Sequence, residues 1–236
     1  MNYCVLAMLW LVLLVTPAFA KKRKGPPSNG NGPTTIYLIN KSPDMPAQSW
    51  GGHWNQDVFN ACVDLLRKHA DLVAQFYHPQ GVDLVVADRS QNPKGWKAIF
   101  KFGGEGGYHS VSNGNPLAIA YTDSLLHVHS PCTVMGEELA EMLGNPRPGS
   151  VCFTTPSGQR IQPEIMDPIW GSGYCPQGYE AECDDTEAGP LPGFVMPAWF
   201  GNKYGVAKLS TQLTFPANVV SKPWQKTSGG AYTRCD

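Results

Sequence analysis

A short segment with three glutamates and no lysine, residues 133–143, constrains this chain more than any other stretch. Its sequence, TVMGEELAEML, predicts an amphipathic helix that ends at Gly144-Asn145-Pro146. Glu137 and Glu141 are spaced i and i+4 and are predicted to share one helix face, with Glu138 about 100° away. Carboxylates this close repel one another, and a merely solvated helix would intersperse lysines. The segment is therefore the first candidate for a functional site.

The N-terminus has the features of an export signal followed by a linker. Residues 1–20 have no charged side chain, a leucine-rich core and an Ala18-Phe19-Ala20 ending, which together predict a cleaved signal peptide. An uncleaved membrane anchor is the alternative, because residues 3–20 are nearly long enough to span a bilayer. Residues 21–33 join a basic run to a Gly/Pro/Asn-rich tract and are predicted to be a flexible linker. We therefore expect a secreted or otherwise extracytoplasmic protein without membrane contact after cleavage.

The cysteine count supports the same compartment. Cleavage of the leader leaves six cysteines, and an even number in an exported chain predicts up to three disulfides, with fifteen possible pairings. The six are Cys62, Cys132, Cys152, Cys175, Cys183 and Cys235. No Cys-x-x-Cys pair occurs, which argues against a zinc ribbon or a thioredoxin-like redox motif.

The charge distribution argues against nucleic acid as a partner. Four of the eighteen basic residues lie at 21–24, which leaves fourteen basic against nineteen acidic residues in the rest of the chain. A mildly acidic body with a short basic stub lacks the basic face that nucleic-acid binding requires. We expect a protein or peptide partner instead.

Residues 34–236 are predicted to form one α+β domain. Hydrophobic periodicity predicts a long helix at residues 55–76, on whose apolar stripe Cys62 lies, so a disulfide there would tie this helix to a neighbouring segment. Alternation and β-branched runs predict strands at 34–40, 82–87, 96–102 and 117–121. Residues 146–236 are rich in Pro, Gly and Cys and are predicted to be loops pinned by disulfides, with short strands at 151–154 and 160–166.

Several motifs follow one another in a fixed order in the second half of the chain. They are Gly107-Tyr108-His109, the strand 117–121, the helix segment 136–143, Asn145-Pro146, Glu164-Ile165-Met166-Asp167-Pro168 and the segment 194–200, FVMPAWF. This order resembles a family of poorly characterised bacterial and phage proteins related to zincin-type metallopeptidases. The family pattern has Ser-His-Glu-x-x-Glu-Met-Leu on the helix, followed by Asp-Pro.

The resemblance implies a fold and a kind of site. The fold would be a zincin-like mixed, twisted β-sheet with a long N-terminal helix and a short active-site helix lining a cleft, whose upper edge would be strand 117–121. Glu138 matches the general base of the family motif and Glu141 its second helical metal ligand. Glu137 stands at the histidine position, Gly136 at that of the serine, and Asn145 at that of the Asp of Asp-Pro.

The exchange of histidine for Glu137 changes the metal chemistry that the resemblance implies. A carboxylate replaces a nitrogen donor with a hard anionic oxygen donor, which shifts preference from zinc towards calcium or manganese. His127 and His129, in the loop before the helix, and Asp167 are candidates to complete the ligand set, although two exposed loop histidines are the simpler interpretation. Three other residues are candidates for contacting the substrate or the metal ligands. They are Tyr108, His109 and Trp199.

Two functions follow from these predictions. The first is a secreted, zincin-like protein with a degenerate metallopeptidase motif, acting as a non-catalytic binding or structural relative. The alternative is a metal-dependent hydrolase, a peptidase, with one divalent cation in a carboxylate-rich site. The loss of the motif histidine favours the first slightly. A serine hydrolase has no Gly-x-Ser-x-Gly elbow to nominate its nucleophile.

Overall fold

The structure is a computed structural model that describes residues 32–46, 53–78, 80–123 and 130–149, with the short segments 153–154, 160–162, 165–166, 173–176, 191–193 and 219–221. The predicted leader and most of the linker lie outside these residues. The elements, in chain order, are β1 (Thr34–Asn40), α1 (Gln56–Tyr77), β2 (Val82–Ala87), β3 (Trp96–Lys101), β4 (Gly107–Ser112), β5 (Asn115–Tyr121), α2 (Pro131–Gly144), β6 (Phe153–Thr154), β7 (Arg160–Ile161), β8 (Gly173–Pro176), β9 (Leu191–Pro192) and β10 (Val219–Ser221).

A mixed five-stranded sheet with strand order β2-β1-β3-β5-β4 forms the centre of the fold. The first four strands in that order are parallel, and β4 alone runs antiparallel, against β5. The predicted α+β class is confirmed. The strand at 117–121 does not form an edge, because β5 lies between β3 and β4. That prediction was wrong, and the edge strand next to α2 is β4.

The β4–β5 hairpin explains why the edge strand lies where it does. Its two strands are separated by Asn113 and Gly114, with φ angles of 50° and 79°. Two consecutive residues with positive φ form the type I′ turn, whose twist matches that of an antiparallel pair. The register pairs His109 with Ala118 and Gly107 with Ala120, so both β4 residues lie on the sheet face where these alanines are buried.

Helix α1 confirms the predicted long helix within one residue at each end. Asn55 is its N-cap, and the Asn55 side chain accepts hydrogen bonds from the backbone N–H groups of Asp57 and Val58, both at 2.9 Å. Such caps satisfy the first free donors of a helix. Its apolar stripe is buried against the sheet, and Cys62 and His69 on that stripe are fully buried.

Helix α2 begins two residues before the predicted start. Ser130 is the N-cap and accepts a hydrogen bond from the Thr133 backbone N–H at 3.2 Å, while Pro131 occupies the first helical position, where its missing N–H costs nothing. Twelve of its fourteen residues are buried, so α2 is a core helix rather than a surface helix with one wet face. A disulfide between Cys62 and Cys132 joins it to α1, as predicted for Cys62.

Both helices pack on the same face of the sheet. α2 contacts β4 and β5, and α1 contacts β2 and α2. The main core lies between the sheet and the helices and includes Trp54 and Phe100, whose ring centroids are 4.6 Å apart. A smaller apolar cluster of Ile39, Ala87 and Ile99 lies on the opposite face.

The C-terminal half is described only in short pieces. β6 pairs with β7, and β8 pairs with β9 and β10, all antiparallel. Cys175 is buried and forms no disulfide within the part of the chain that the structure describes. Cys152, Cys183 and Cys235 lie outside that part, so disulfide pinning of this region remains a prediction. No helix among the described residues is long and apolar enough to cross a membrane.

Candidate metal site

Three side chains from two elements meet between the edge strand and α2. His109 Nδ1 on β4 lies 3.3 Å from Glu141 Oε2 and 3.6 Å from Glu138 Oε2 on α2. One donor atom from each of the three residues lies within 4.8 Å of the other two. Donors about 2.1 Å from one tetrahedral ion lie about 3.4 Å apart, which is close to both measured distances. The three groups have the spacing of ligands around a single cation.

The group is buried, although it contains two acids. The His109, Glu138 and Glu141 side chains are 6, 9 and 8 % exposed. Burial raises the pKa of the Glu138 carboxyl above its ordinary value, and the hydrogen bond and positive charge of His109 partly offset that rise. Buried carboxylates at this spacing repel each other, and a shared cation relieves both that repulsion and the cost of desolvation.

Close contact between β4 and α2 depends on Gly107. A Cβ atom at this position would lie 2.6 Å from Val134 Cγ1 and 2.7 Å from Glu138 Cγ, closer than packed carbon atoms approach. The missing side chain lets the edge strand lie directly over Glu138. Alternation along the strand then points His109, two residues on, at the same helix.

A second histidine holds α2 from the side of α1. His69 is fully buried, and its Nε2 lies 3.0 Å from the carbonyl oxygen of Gly136. A carbonyl only accepts, so Nε2 carries the proton, and Nδ1, 2.6 Å from the Tyr174 hydroxyl, accepts from it. Burial lowers the pKa of His69 to about 4, although the hydrogen bond to Gly136 raises it in part. The ring is therefore neutral near pH 7, and His69 is a packed structural histidine.

Glu137 does not belong to the group that the structure brings together. The carboxylates that converge are three residues apart, Glu138 and Glu141, rather than the predicted i, i+4 pair, and the Glu137 side chain is half-buried outside the candidate metal group found among the described residues. Positions three and four apart are both neighbours on a helix, so packing decides which pair meets.

The remaining predicted site residues fall into two groups. His127, His129, Asp167 and Trp199 lie outside the described residues. Tyr108 precedes His109 on β4 and therefore points to the opposite face of the sheet, where it is exposed and its ring lies 6.4 Å from that of Tyr121. At the serine position of the family motif, Gly136 packs against β9, where an added Cβ would lie 2.9 Å from Pro192 Cδ.

The sequence signal that could have placed His109 in the site is the Asn113-Gly114 dipeptide. Flanked by two alternating segments, it is the strongest short-range hairpin signal, and it makes residues 107–112 the partner strand of β5. No protein-family model, curated protein or solved structure matches this chain.

Proposed function

We propose that this chain is a secreted, zincin-like, metal-dependent hydrolase that holds one divalent cation with His109 and Glu141, beside Glu138 as the base. The observation that carries the proposal is the position of the His109 imidazole, 3.3 Å from the Glu141 carboxylate. The helix motif lacks the nitrogen donor that a hydrolytic metal site requires, and a neighbouring strand supplies one. The exchange at Glu137 is thereby compensated from outside the helix.

The donor set fits a divalent transition metal. An imidazole nitrogen together with a carboxylate oxygen suits zinc and manganese, whereas an all-oxygen set would suit calcium or magnesium. The fit is supported by the chemistry of the group itself, because a shared cation would relieve the mutual repulsion of two buried carboxylates that face one histidine.

The zincin-like assignment is supported by the position of the helix. A parallel sheet ends in one antiparallel edge strand, and the helix that carries the Glu-Glu-x-x-Glu motif lies beneath that strand. Export is supported by the Cys62–Cys132 disulfide, because such bonds persist in oxidising compartments.

Each residue has a role in hydrolysis that follows from its surroundings. A bound divalent cation supplies a water of lowered pKa and polarises the carbonyl of a substrate. Glu138, whose pKa is raised by burial, is suited to accept a proton and return it to a leaving group. His109 and Glu141 bind and are held in place by the β4–β5 ladder and by the buried helix.

A non-catalytic binding protein is the second candidate, and one observation favours it. Glu138 lies as deep in the group as the other two donors, so it can serve as a ligand, and a ligand carboxylate no longer works as a free base. In that case the protein would keep the cation as a structural element and would recognise a protein or peptide partner without cleaving it.

Metal content tests the proposal. The full chain, secreted from a eukaryotic host with its own leader, should contain about one equivalent of zinc or manganese by elemental analysis. Glu141→Gln should lose it, and His109→Gln should lower the affinity by about 10- to 100-fold. Glu137→Gln is the matched control, because it removes an adjacent carboxylate outside the group. Stoichiometric metal in Glu141→Gln, or none in the wild type, would refute the site.

Activity separates the two candidates. The metal-loaded protein should cleave a denatured protein such as labelled casein, and Glu138→Gln should abolish cleavage while the metal is retained. A fully loaded wild type with no cleavage of denatured protein or of peptide libraries supports the non-catalytic relative. Loss of the metal in Glu138→Gln would assign this residue as a ligand instead of a base.

A further inference from the structure

A polar stripe on α2 extends beyond the two glutamates. Nearly all buried positions of this helix are apolar, and the buried polar residue near its start, Thr133, belongs to the N-cap. The others are Glu138 and Glu141, followed by Asn145 immediately after the helix ends. Their spacing is i, i+3 and i+7, so the two glutamates share one helix face, and Asn145 follows them as the C-cap with a φ of −137°.

Asn145 is almost completely buried. It is 1 % exposed, and neither its side-chain nitrogen nor its side-chain oxygen has a hydrogen-bond partner within the part of the chain that the structure describes. Leaving a buried carboxamide unsatisfied is costly, and each such group in a native protein calls for a water, an ion or a ligand.

The backbone places Asn145 directly after the helical turn that begins at Glu141. The Asn145 N–H donates to the Glu141 carbonyl at 2.6 Å, so the helical turn closes through Asn145 one turn beyond Glu141. Asn145 follows the helix as its C-cap, and its buried carboxamide, which has no hydrogen-bond partner among the described residues, is the group available to a shared ion there. Gly144 packs against Ile165, where an added Cβ would lie 2.7 Å from Ile165 Cγ2, so the end of the helix is held in the core.

We infer that the cation site includes Asn145, whose carboxamide oxygen serves as a further ligand beside His109 and Glu141. The inference rests on the proposed metal site and adds a neutral oxygen donor to it. A set of one imidazole, one carboxylate and one amide oxygen is richer in hard oxygen donors than a typical zinc site, which favours Mn²⁺ over Zn²⁺.

Two variants of Asn145 and one control test the inference by calorimetric titration of the metal-stripped protein with Mn²⁺ and Zn²⁺. Asn145→Leu, which is close in volume but has no donor, should raise the Kd for Mn²⁺ at least tenfold and raise that for Zn²⁺ less. Asn145→Asp, which keeps an oxygen in place, should bind Mn²⁺ at least as tightly as the wild type. Met142→Leu is the control for a neighbouring, volume-conserving core change and should leave both constants unaltered.

The melting temperature of the metal-stripped protein gives an independent readout. Removing an unsatisfied buried amide should raise the Tm of Asn145→Leu by about 2–4 °C, so affinity and stability would change in opposite directions. If the leucine variant fails to fold, Asn145→Ala removes the oxygen without added branching and takes its place.

The outcomes separate this inference from the proposed function. Unchanged Mn²⁺ affinity in Asn145→Leu, together with loss of binding in Glu141→Gln, would overturn the role of Asn145 and leave the metal site standing. No binding of either ion by the wild type would overturn both. A parallel loss of affinity for Asn145→Leu and Asn145→Asp would show that the amide acts through packing rather than as a ligand.

Discussion

The buried histidine between the two helices makes the stability of this protein dependent on pH in a calculable way. Burial lowers the pKa of His69 from 6.5 to about 4 in the folded protein. The unfolded chain therefore binds more protons than the folded one between these values, and stability is lost as the pH falls from 6.5 towards 4. At about 1.4 kcal/mol for each tenfold change in proton affinity, the loss reaches about 2 kcal/mol at pH 5 and about 3 kcal/mol at pH 4.

The measurement compares the wild type with a variant that cannot titrate. Urea unfolding of metal-stripped protein between pH 4 and pH 8 gives the free energy of unfolding of the wild type and of His69→Gln. The difference between them should change by about 2 kcal/mol between pH 7 and pH 5, because every other titrating group is common to both proteins.

A second variant separates burial from hydrogen bonding. Tyr174→Phe removes the hydroxyl that His69 Nδ1 accepts from at 2.6 Å, but leaves the ring buried. It should cost about 1–2 kcal/mol at pH 7 and keep the pH dependence of the wild type. Parallel pH curves for the wild type and His69→Gln, or an imidazole that titrates near 6.5 by NMR, would refute the assignment of His69 as a buried neutral residue.

Other perturbations have equally definite outcomes. Cys62→Ala opens a disulfide that closes a loop of 70 residues and should cost up to about 4 kcal/mol in chemical denaturation, with the buried free thiol variant Cys175→Ala as a control that leaves the loop closed. Gly107→Ala should push β4 away from α2, cost about 1–3 kcal/mol and weaken metal binding, whereas Ser110→Ala on the same strand should do neither. Because burial raises the pKa of Glu138, its ionisation destabilises the metal-free fold as the pH rises above about 4.5, and Glu138→Gln should remove that part of the loss in a series of melting curves.

Much of the fold could be predicted because its elements have strong local patterns. The periodicity of residues 55–76 is that of a helix buried on one side, and α1 confirms it within one residue at each end. The β-branched run at 34–40 and the alternation at 96–102 match β1 and β3. The order of the strands in the sheet could not be predicted in this way, because it depends on pairing between distant segments, which periodicity does not encode.

The candidate site could be predicted only in part, for a related reason. Spacing on one helix identifies which carboxylates can be neighbours, but residues three apart and four apart both qualify. The sequence therefore could not decide whether Glu137 or Glu138 is the partner of Glu141. Their separation comes from β4, which covers Glu138 and Glu141. That strand contains glycine, tyrosine, histidine and two serines in six residues and has no apolar run by which to recognise it.

Helix α2 is fixed from opposite sides by different means, which gives its carboxylates a defined position. On the side of α1, the Cys62–Cys132 disulfide holds its first turn and the His69–Gly136 hydrogen bond holds its middle. On the side of β4, a glycine allows close approach, and no covalent link between β4 and α2 is found among the described residues. The helix is held on two sides, whereas β4, among the described residues, is held in the sheet only by its hairpin with β5. Small movements of β4 alone can therefore adjust the distance from His109 to the two glutamates. For this reason we expect β4 to shift when ions of different size bind. Protection of the β4 amides from hydrogen exchange, rather than that of the α2 amides, should differ between ions.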